Sequence, residues 1–190
     1  YSGLRVGTAG IPTGLVADLD TGRPGPCIAL RADIDALPIA EQGNPPYRSG
    51  NEGVMHACGH DSHIAMLLGA ARILKALEGE LSGRIRFIFQ PSEETPKNSG
   101  ARAMIEEGVL DGVDAIAGIH TWGTIPAGVV GVHAGPFMAA SDEWSVTIRG
   151  KGGHGALPHL STDPIVAAAG LIGALQAIVS RETNPLDAAV

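Results

Sequence analysis

Four side chains with metal-binding chemistry punctuate the first two thirds of the sequence: Cys58, His60, Glu94 and His120. A thiolate, imidazoles and a carboxylate together suit Zn²⁺ or another borderline divalent ion. Cys58 and His60 flank Gly59, and a glycine there lets the backbone bend so that both side chains face one centre. Glu93 precedes Glu94. Neighbours in extended chain point apart, so one carboxylate can hold a metal while the other reaches an activated water from another side. Metal-assisted hydrolysis needs that division of labour. The cation lowers the pKa of water to about 7, and a nearby carboxylate takes the proton and passes it to the leaving group. Each fragment is weak alone, since an isolated cysteine is more often a small buried hydrophobe than a ligand.

The elements that must position these residues are legible in the apolar pattern. Residues 14–20 (GLVADLD) read as a short strand closed by a turn-rich segment. Residues 27–32 (CIALRA) form the near-continuous apolar run of a strand buried on both faces. Ile64, Leu67, Leu68, Ala71 and Leu74 recur at helical spacing and predict a helix over 62–77, with Asp61 or Ser62 as its cap. Residues 84–90 (RIRFIFQ) alternate polar and apolar, as a strand does, and Glu93-Glu94 lies beyond its end. A helix over 99–107 follows, with Gly108 at C′. Strands are expected at 114–119, 128–132 and 143–149, and a long apolar helix at 163–180. Alternating strands and helices predict an α/β fold with a mostly parallel sheet and flanking helices. In such sheets ligands bind at the carboxyl ends of the strands, which is where Cys58, His60, Glu94 and His120 fall.

Composition excludes several classes. The chain has 190 residues, 44% of them hydrophobic, which is too apolar for disorder. Net charge is -7 and no basic run is present, so nucleic acid is not an expected partner. The longest apolar stretches fall short of about 18 residues, so no membrane span is expected. Two cysteines, Cys27 and Cys58, make no disulfide framework and suit a reduced, cytoplasmic compartment. The glycine-rich turn at 150–155 lacks the spacing of a phosphate-binding loop.

Six strings occur in one order: RADIDALPI (31–39), GVMHACGHDSH (53–63), FQPSEET (89–95), GARAMIEEG (100–108), GIHTW (118–122) and GKGGHGALPH (150–159). Over essentially the whole chain, they resemble the hippurate hydrolase and indole-acetyl-amino-acid hydrolase family. That is the amidohydrolase branch of the aminoacylase–carboxypeptidase metallopeptidases. The resemblance implies a metal-dependent hydrolase of N-acyl amino acids or peptides. It implies Cys58, His60, Glu94 and His120 as metal ligands and Glu93 as general base. It also implies His154, from a smaller lid domain, as the group that steadies the substrate carbonyl across a dimer interface. Two divalent ions about 3.5–4 Å apart are implied, Zn²⁺ or Mn²⁺ with Co²⁺ or Ni²⁺ as alternatives, and a homodimer in the full-length protein. Residues 1–138 would form the metal-binding part of a zinc-peptidase-like catalytic domain. Residues 139–190 would begin an α+β lid and dimerisation domain.

The family carries a further metal-binding histidine near its C-terminus and a helical N-terminal segment. The expectation is therefore a piece of such an enzyme that lacks both. A dipeptidase, a deacetylase of acetylated diamino acids and a catalytically inactive metal-binding piece are the other readings. Among the remaining polar residues, Asp33 and Asp35 are expected to support the site from behind. His56 and His63 flank it, His63 in a capping or supporting role one helical turn after His60. Cys27 and His133 read as structural, and His159 as a local hydrogen-bonding residue. Ile165, Val166, Ala169, Ile172 and Leu175 read as core or dimer packing.

Overall fold

The structure is a computed structural model that describes residues 2–8 and 11–190. Two compact units divide the chain, Tyr1–Gly131 and Val132–Val190.

The first unit is built on a five-stranded sheet in the order β1-β2-β4-β3-β5. Its strands are β1 (Ser2–Thr8), β2 (Ile11–Asp20), β3 (Cys27–Asp33), β4 (Arg84–Gln90) and β5 (Ala115–Gly118). The sheet is mixed. β2 runs antiparallel to both β1 and β4, whereas β3 runs parallel to both β4 and β5. The parallel part is the part that matters for the site, because it sets the carboxyl ends of β3, β4 and β5 at one edge. Registers Asp33↔Gln90 and Arg31↔Gly118 fix that alignment.

Alternation along the strands splits the core between the two faces of the sheet. Phe87 and Phe89 join Ala17, Leu19 and Ala32 under Leu67 and Ala71 of helix α1 (His60–Ala76). Ile88 joins Val16 and Ala29 under Met104 of helix α2 (Gly100–Glu106) and Val109. All four residues of β5 are exposed.

Helix α1 starts earlier than its expected cap. Neither Asp61 nor Ser62 caps it; Gly59 does, in the left-handed region at φ 80, with no side-chain cap bond. The Ser62 hydroxyl instead donates to the Gly59 carbonyl at 2.6 Å. Helix α2 ends as its sequence predicts. Gly108 sits at φ +77, its N–H donates to Ile105 O at 2.9 Å, and the Val109 N–H donates to Met104 O at 3.0 Å. This is a Schellman closure, sealed by Met104 and Val109 in one apolar cluster.

The second unit holds helix α3 (Pro164–Ala177), capped by Asp163, whose carboxylate accepts from Ile165 N at 2.8 Å and Val166 N at 3.4 Å. The expected strands at 128–132 and 143–149 are not formed among the described residues. The pairing there is a single bridge, Lys151↔Thr162. Alternating side chains supply a preference, but a strand exists only where a neighbouring strand completes its ladder. The longest uninterrupted apolar stretches do fall short of 18 residues, but one helix reaches that length with polar residues included. α3 continues through a π-helical turn, Ile178–Glu182, and the 19 residues Pro164–Glu182 are long and apolar enough to cross a membrane by length and composition. Helix geometry runs on past the polar Gln176 and Ser180, where a count of consecutive apolar residues stops.

Candidate metal centre

The site forms where the carboxyl ends of the parallel strands meet the start of α1. β3 ends on Asp33, and the chain beyond it pairs Leu37 with Met55 through two backbone hydrogen bonds of 2.9 and 3.1 Å. That bridge pins the segment leading to Cys58 against the end of the sheet. The left-handed turn at Gly59 then aims Cys58 and His60 at the same space. A Cβ on Gly59 would lie 2.5 Å from Thr121 Oγ1, so only glycine admits the loop after β5 this closely.

Three groups of candidate ligand side chains emerge, one of them the buried set Asp33, His60 and His63. The donor atoms of Cys58, His60 and His120 lie within 4.8 Å of one another, and so do those of His60, Glu93 and Glu94. His60, 1% exposed, donates its Nδ1–H to Asp35, whose backbone and carboxylate oxygens lie at 3.0 and 3.1 Å. The Nε2 lone pair is thereby left facing inward. His120 repeats the arrangement: its Nδ1–H donates to Thr121 O at 2.6 Å, and its Nε2 lies 3.4 Å from Cys58 Sγ. Both imidazoles therefore present Nε2 to one space.

Two of the acceptors in that space have no donor. His60 Nε2 and Glu94 Oε1 are buried and lack any hydrogen-bond partner, although they lie 3.7 Å apart. Asp33 Oδ2 approaches the same nitrogen at 3.6 Å. Buried lone pairs are normally satisfied, and leaving one unmade costs roughly 1–3 kcal/mol. A cation would satisfy both facing atoms at once, and the sulfur, nitrogen and oxygen donors gathered there suit a divalent metal, so these residues fit one. The thiol points the same way. Burial, followed by the charges of Glu94, Glu93 and Asp33, pushes Cys58 above its ordinary pKa. Without a cation the group stays protonated, and a coordinated cation inverts that balance.

Behind the ligands stands a carboxylate frame. Asp35 links two of them, because its Oδ2 also accepts the Glu94 N–H at 3.0 Å. Asp33 is 1% exposed. Burial pushes its carboxyl up, but the His63 hydrogen bond and the Arg31 guanidinium, 2.9 Å away, outweigh that and hold it below its ordinary value. Asp35 takes the supporting place expected of it, whereas Asp33 holds His63 and also faces the inward nitrogen of His60. His56 donates to Asp35 O at 3.1 Å and takes part in the frame as well.

Glu93 and Glu94 differ in how they are held, although a carboxylate oxygen of each comes within 4.8 Å of the other and of His60. Ser92, just before them, takes a left-handed φ of 51, the one such value at a non-glycine among the described residues. Strained backbone of this kind concentrates at functional sites. Glu94 is held by its own N–H, whereas Glu93 is exposed. His154 lies in the second unit, exposed, with Nδ1 accepting the Ala156 N–H at 3.1 Å. Thr121 is the residue that sequence reading passes over. It acts through its backbone N–H and a small hydroxyl, and neither leaves a signature in residue type.

The sequence model of Peptidase family M20/M25/M40 matches residues 29–186. The chain belongs to that family. Among curated M20/M25/M40 relatives, the N-acetyl-L-cysteine deacetylase of Bacillus subtilis is 52% identical over 99% of this chain and 45% of its own length. The N-acyl-L-amino acid amidohydrolase of Geobacillus stearothermophilus is 48% identical over 92% of this chain and 47% of its own length. The crystal structure of the Bacillus subtilis YXEP protein, a dinuclear metal binding peptidase from the M20 family, aligns at 48% identity with a TM-score of 0.65. That alignment covers 70% of this chain and 37% of YXEP. The chain thus spans under half the length of the curated relatives it matches.

Proposed function

We propose that the whole protein is a metal-dependent amidohydrolase that cleaves the amide bond of N-acyl amino acids. Cys58, His60, Glu94 and His120 would hold two divalent ions, with Glu93 as general base and His154 as a donor to the substrate carbonyl. The observation that carries this reading is the pair of buried, unpartnered acceptors, His60 Nε2 and Glu94 Oε1, beside a thiol and a second imidazole. The names of the relatives above support the substrate class. A mixed sulfur, nitrogen and oxygen donor set favours Zn²⁺, and Mn²⁺ is the alternative that the family resemblance implies.

Divalent ions in such a site polarise a carbonyl and bring the pKa of water down to about 7. The chain's own residues do the rest. Asp35 fixes the His60 tautomer and seats the Glu94 backbone, so the acceptor set is aligned in advance. Glu93, exposed beside it, takes a proton from the attacking water and returns it to the departing amine. His154 spends its Nδ1 lone pair on Ala156 N–H, which leaves the proton on Nε2 and makes that atom a donor. The apolar helix α3, with Ile165 76% and Val166 68% exposed, supplies packing surface in a dimer of the whole, cytoplasmic protein.

Metal analysis and turnover of the full-length protein test the reading together. Wild type should carry about two divalent ions per chain and hydrolyse N-acetylcysteine or hippurate. Cys58→Ser should lower both metal content and activity. Unchanged metal content and activity in the variant would remove Cys58 from the site. Turnover of dipeptides with none of N-acyl amino acids would move the substrate class.

A further inference from the structure

His63 differs from its neighbours in having no lone pair left for a cation. The Thr121 N–H donates to His63 Nε2 at 2.8 Å, and a backbone N–H can only donate. Nε2 is therefore the acceptor and the ring proton sits on Nδ1, which faces Asp33 Oδ1 at 2.5 Å. The Thr121 hydroxyl closes on the same Nε2 at 3.1 Å. His63 is 2% exposed and Asp33 1%, so the bond between them is buried, while the Thr121 end lies at the surface. It adds a direct link between three elements, the end of β3, the first turn of α1 and the loop after β5. Thr121 directly follows His120, and its hydroxyl is the atom that a Cβ on Gly59 would strike.

We propose that His63 is a positioning residue for the metal centre. As a neutral imidazole it fastens the Thr121 backbone to Asp33, and so sets the separation of His120 from Cys58 across the site. The inference rests on the reading that Cys58 and His120 hold metal, but the link itself exists without any ion. It can therefore be tested separately.

Three variants of the full-length protein separate acceptor from filler. A glutamine at position 63 can place an oxygen near the Nε2 position and accept from Thr121. An asparagine keeps a donor near Asp33 but cannot reach Thr121, and leucine keeps only volume. Amide hydrogen exchange on the metal-free protein reads the link directly. In His63→Leu and His63→Asn the Thr121 amide should exchange roughly ten-fold or more faster, with core amides of β3 and β4 unchanged, while His63→Gln keeps most of the protection. Co²⁺ titration should then show affinity about 10–100-fold weaker in the leucine and asparagine variants, with a weakened thiolate-to-Co²⁺ absorption band, and recovery in His63→Gln. Should His63→Leu fail to fold, the comparison of glutamine with asparagine decides. Equal protection of Thr121 in those two variants would overturn the proposal. So would slow Thr121 exchange and wild-type Co²⁺ affinity in a folded His63→Leu. Lost Thr121 protection in His63→Leu and His63→Asn with Co²⁺ affinity unchanged overturns the claim on the metal centre and leaves the hydrogen-bond link standing. Absence of Co²⁺ binding in the wild type itself would instead sink the functional reading.

Discussion

With Glu93 replaced by glutamine, the full-length protein should keep its divalent ions and its substrate affinity but lose roughly 10²–10⁴-fold in kcat, the usual worth of a positioned general base. The structure separates the two adjacent carboxylates in a way that makes this a sharp comparison. Glu94 is anchored through its backbone N–H to Asp35, and its Oε1 is buried against His60. Glu93 is exposed and has no such tie. Glu94→Gln should therefore lose metal first and activity as a consequence. Elemental analysis beside steady-state kinetics distinguishes the two. If Glu93→Gln lost metal while Glu94→Gln kept it, base and ligand would have to be exchanged.

His154→Ala should lower kcat about 10²–10³-fold in the full-length protein, as loss of one donor to a developing oxyanion does. Metal content should stay at the wild-type level. The bond from Ala156 N–H to Nδ1 leaves Nε2–H as the donor, so the effect depends on that one atom. If His154 serves the active site of a partner subunit, mixing inactive His154→Ala chains with inactive Glu93→Gln chains should restore part of the activity through hybrid dimers. No recovery, with subunit exchange demonstrated, would place His154 within its own chain's site or outside the chemistry.

Much of this arrangement is legible in the sequence, and what is not has physical causes. The string RIRFIFQ matches β4 at both ends: Arg84 to Phe87 alternate along its half-buried start, and the apolar run Phe87, Ile88, Phe89 marks the part covered on both faces. Gly108 declares the end of α2 because only a left-handed residue completes its closure. The shared strand ends bring Cys58, His60, Glu94 and His120 together as expected. Other features leave weaker traces. β1 carries apolar side chains only at Leu4 and Val6 between glycines, and it owes its existence to pairing with β2. The start of α1 is set by a glycine turn in place of the polar side chains that usually announce a helix. Residues 143–149 carry a strand's alternation without a neighbour to complete it. Thr121 works through a backbone proton, which every residue except proline possesses.

The tautomers of His60 and His120 bear on how the protein is charged with metal. Each ring has already committed its Nδ1–H to an oxygen, so the outward half of the cradle stands before any ion arrives. Loading is then a swap of solvent for cation in a vessel of fixed shape. Small zinc modules differ, since in them the ion and the fold arrive together. Stripping with a chelator should silence the enzyme while its near-ultraviolet circular dichroism stays put, and adding the ion back should revive it without a refolding lag. A spectrum that collapses on chelation would mean that the ion is a structural keystone and not a replaceable tool.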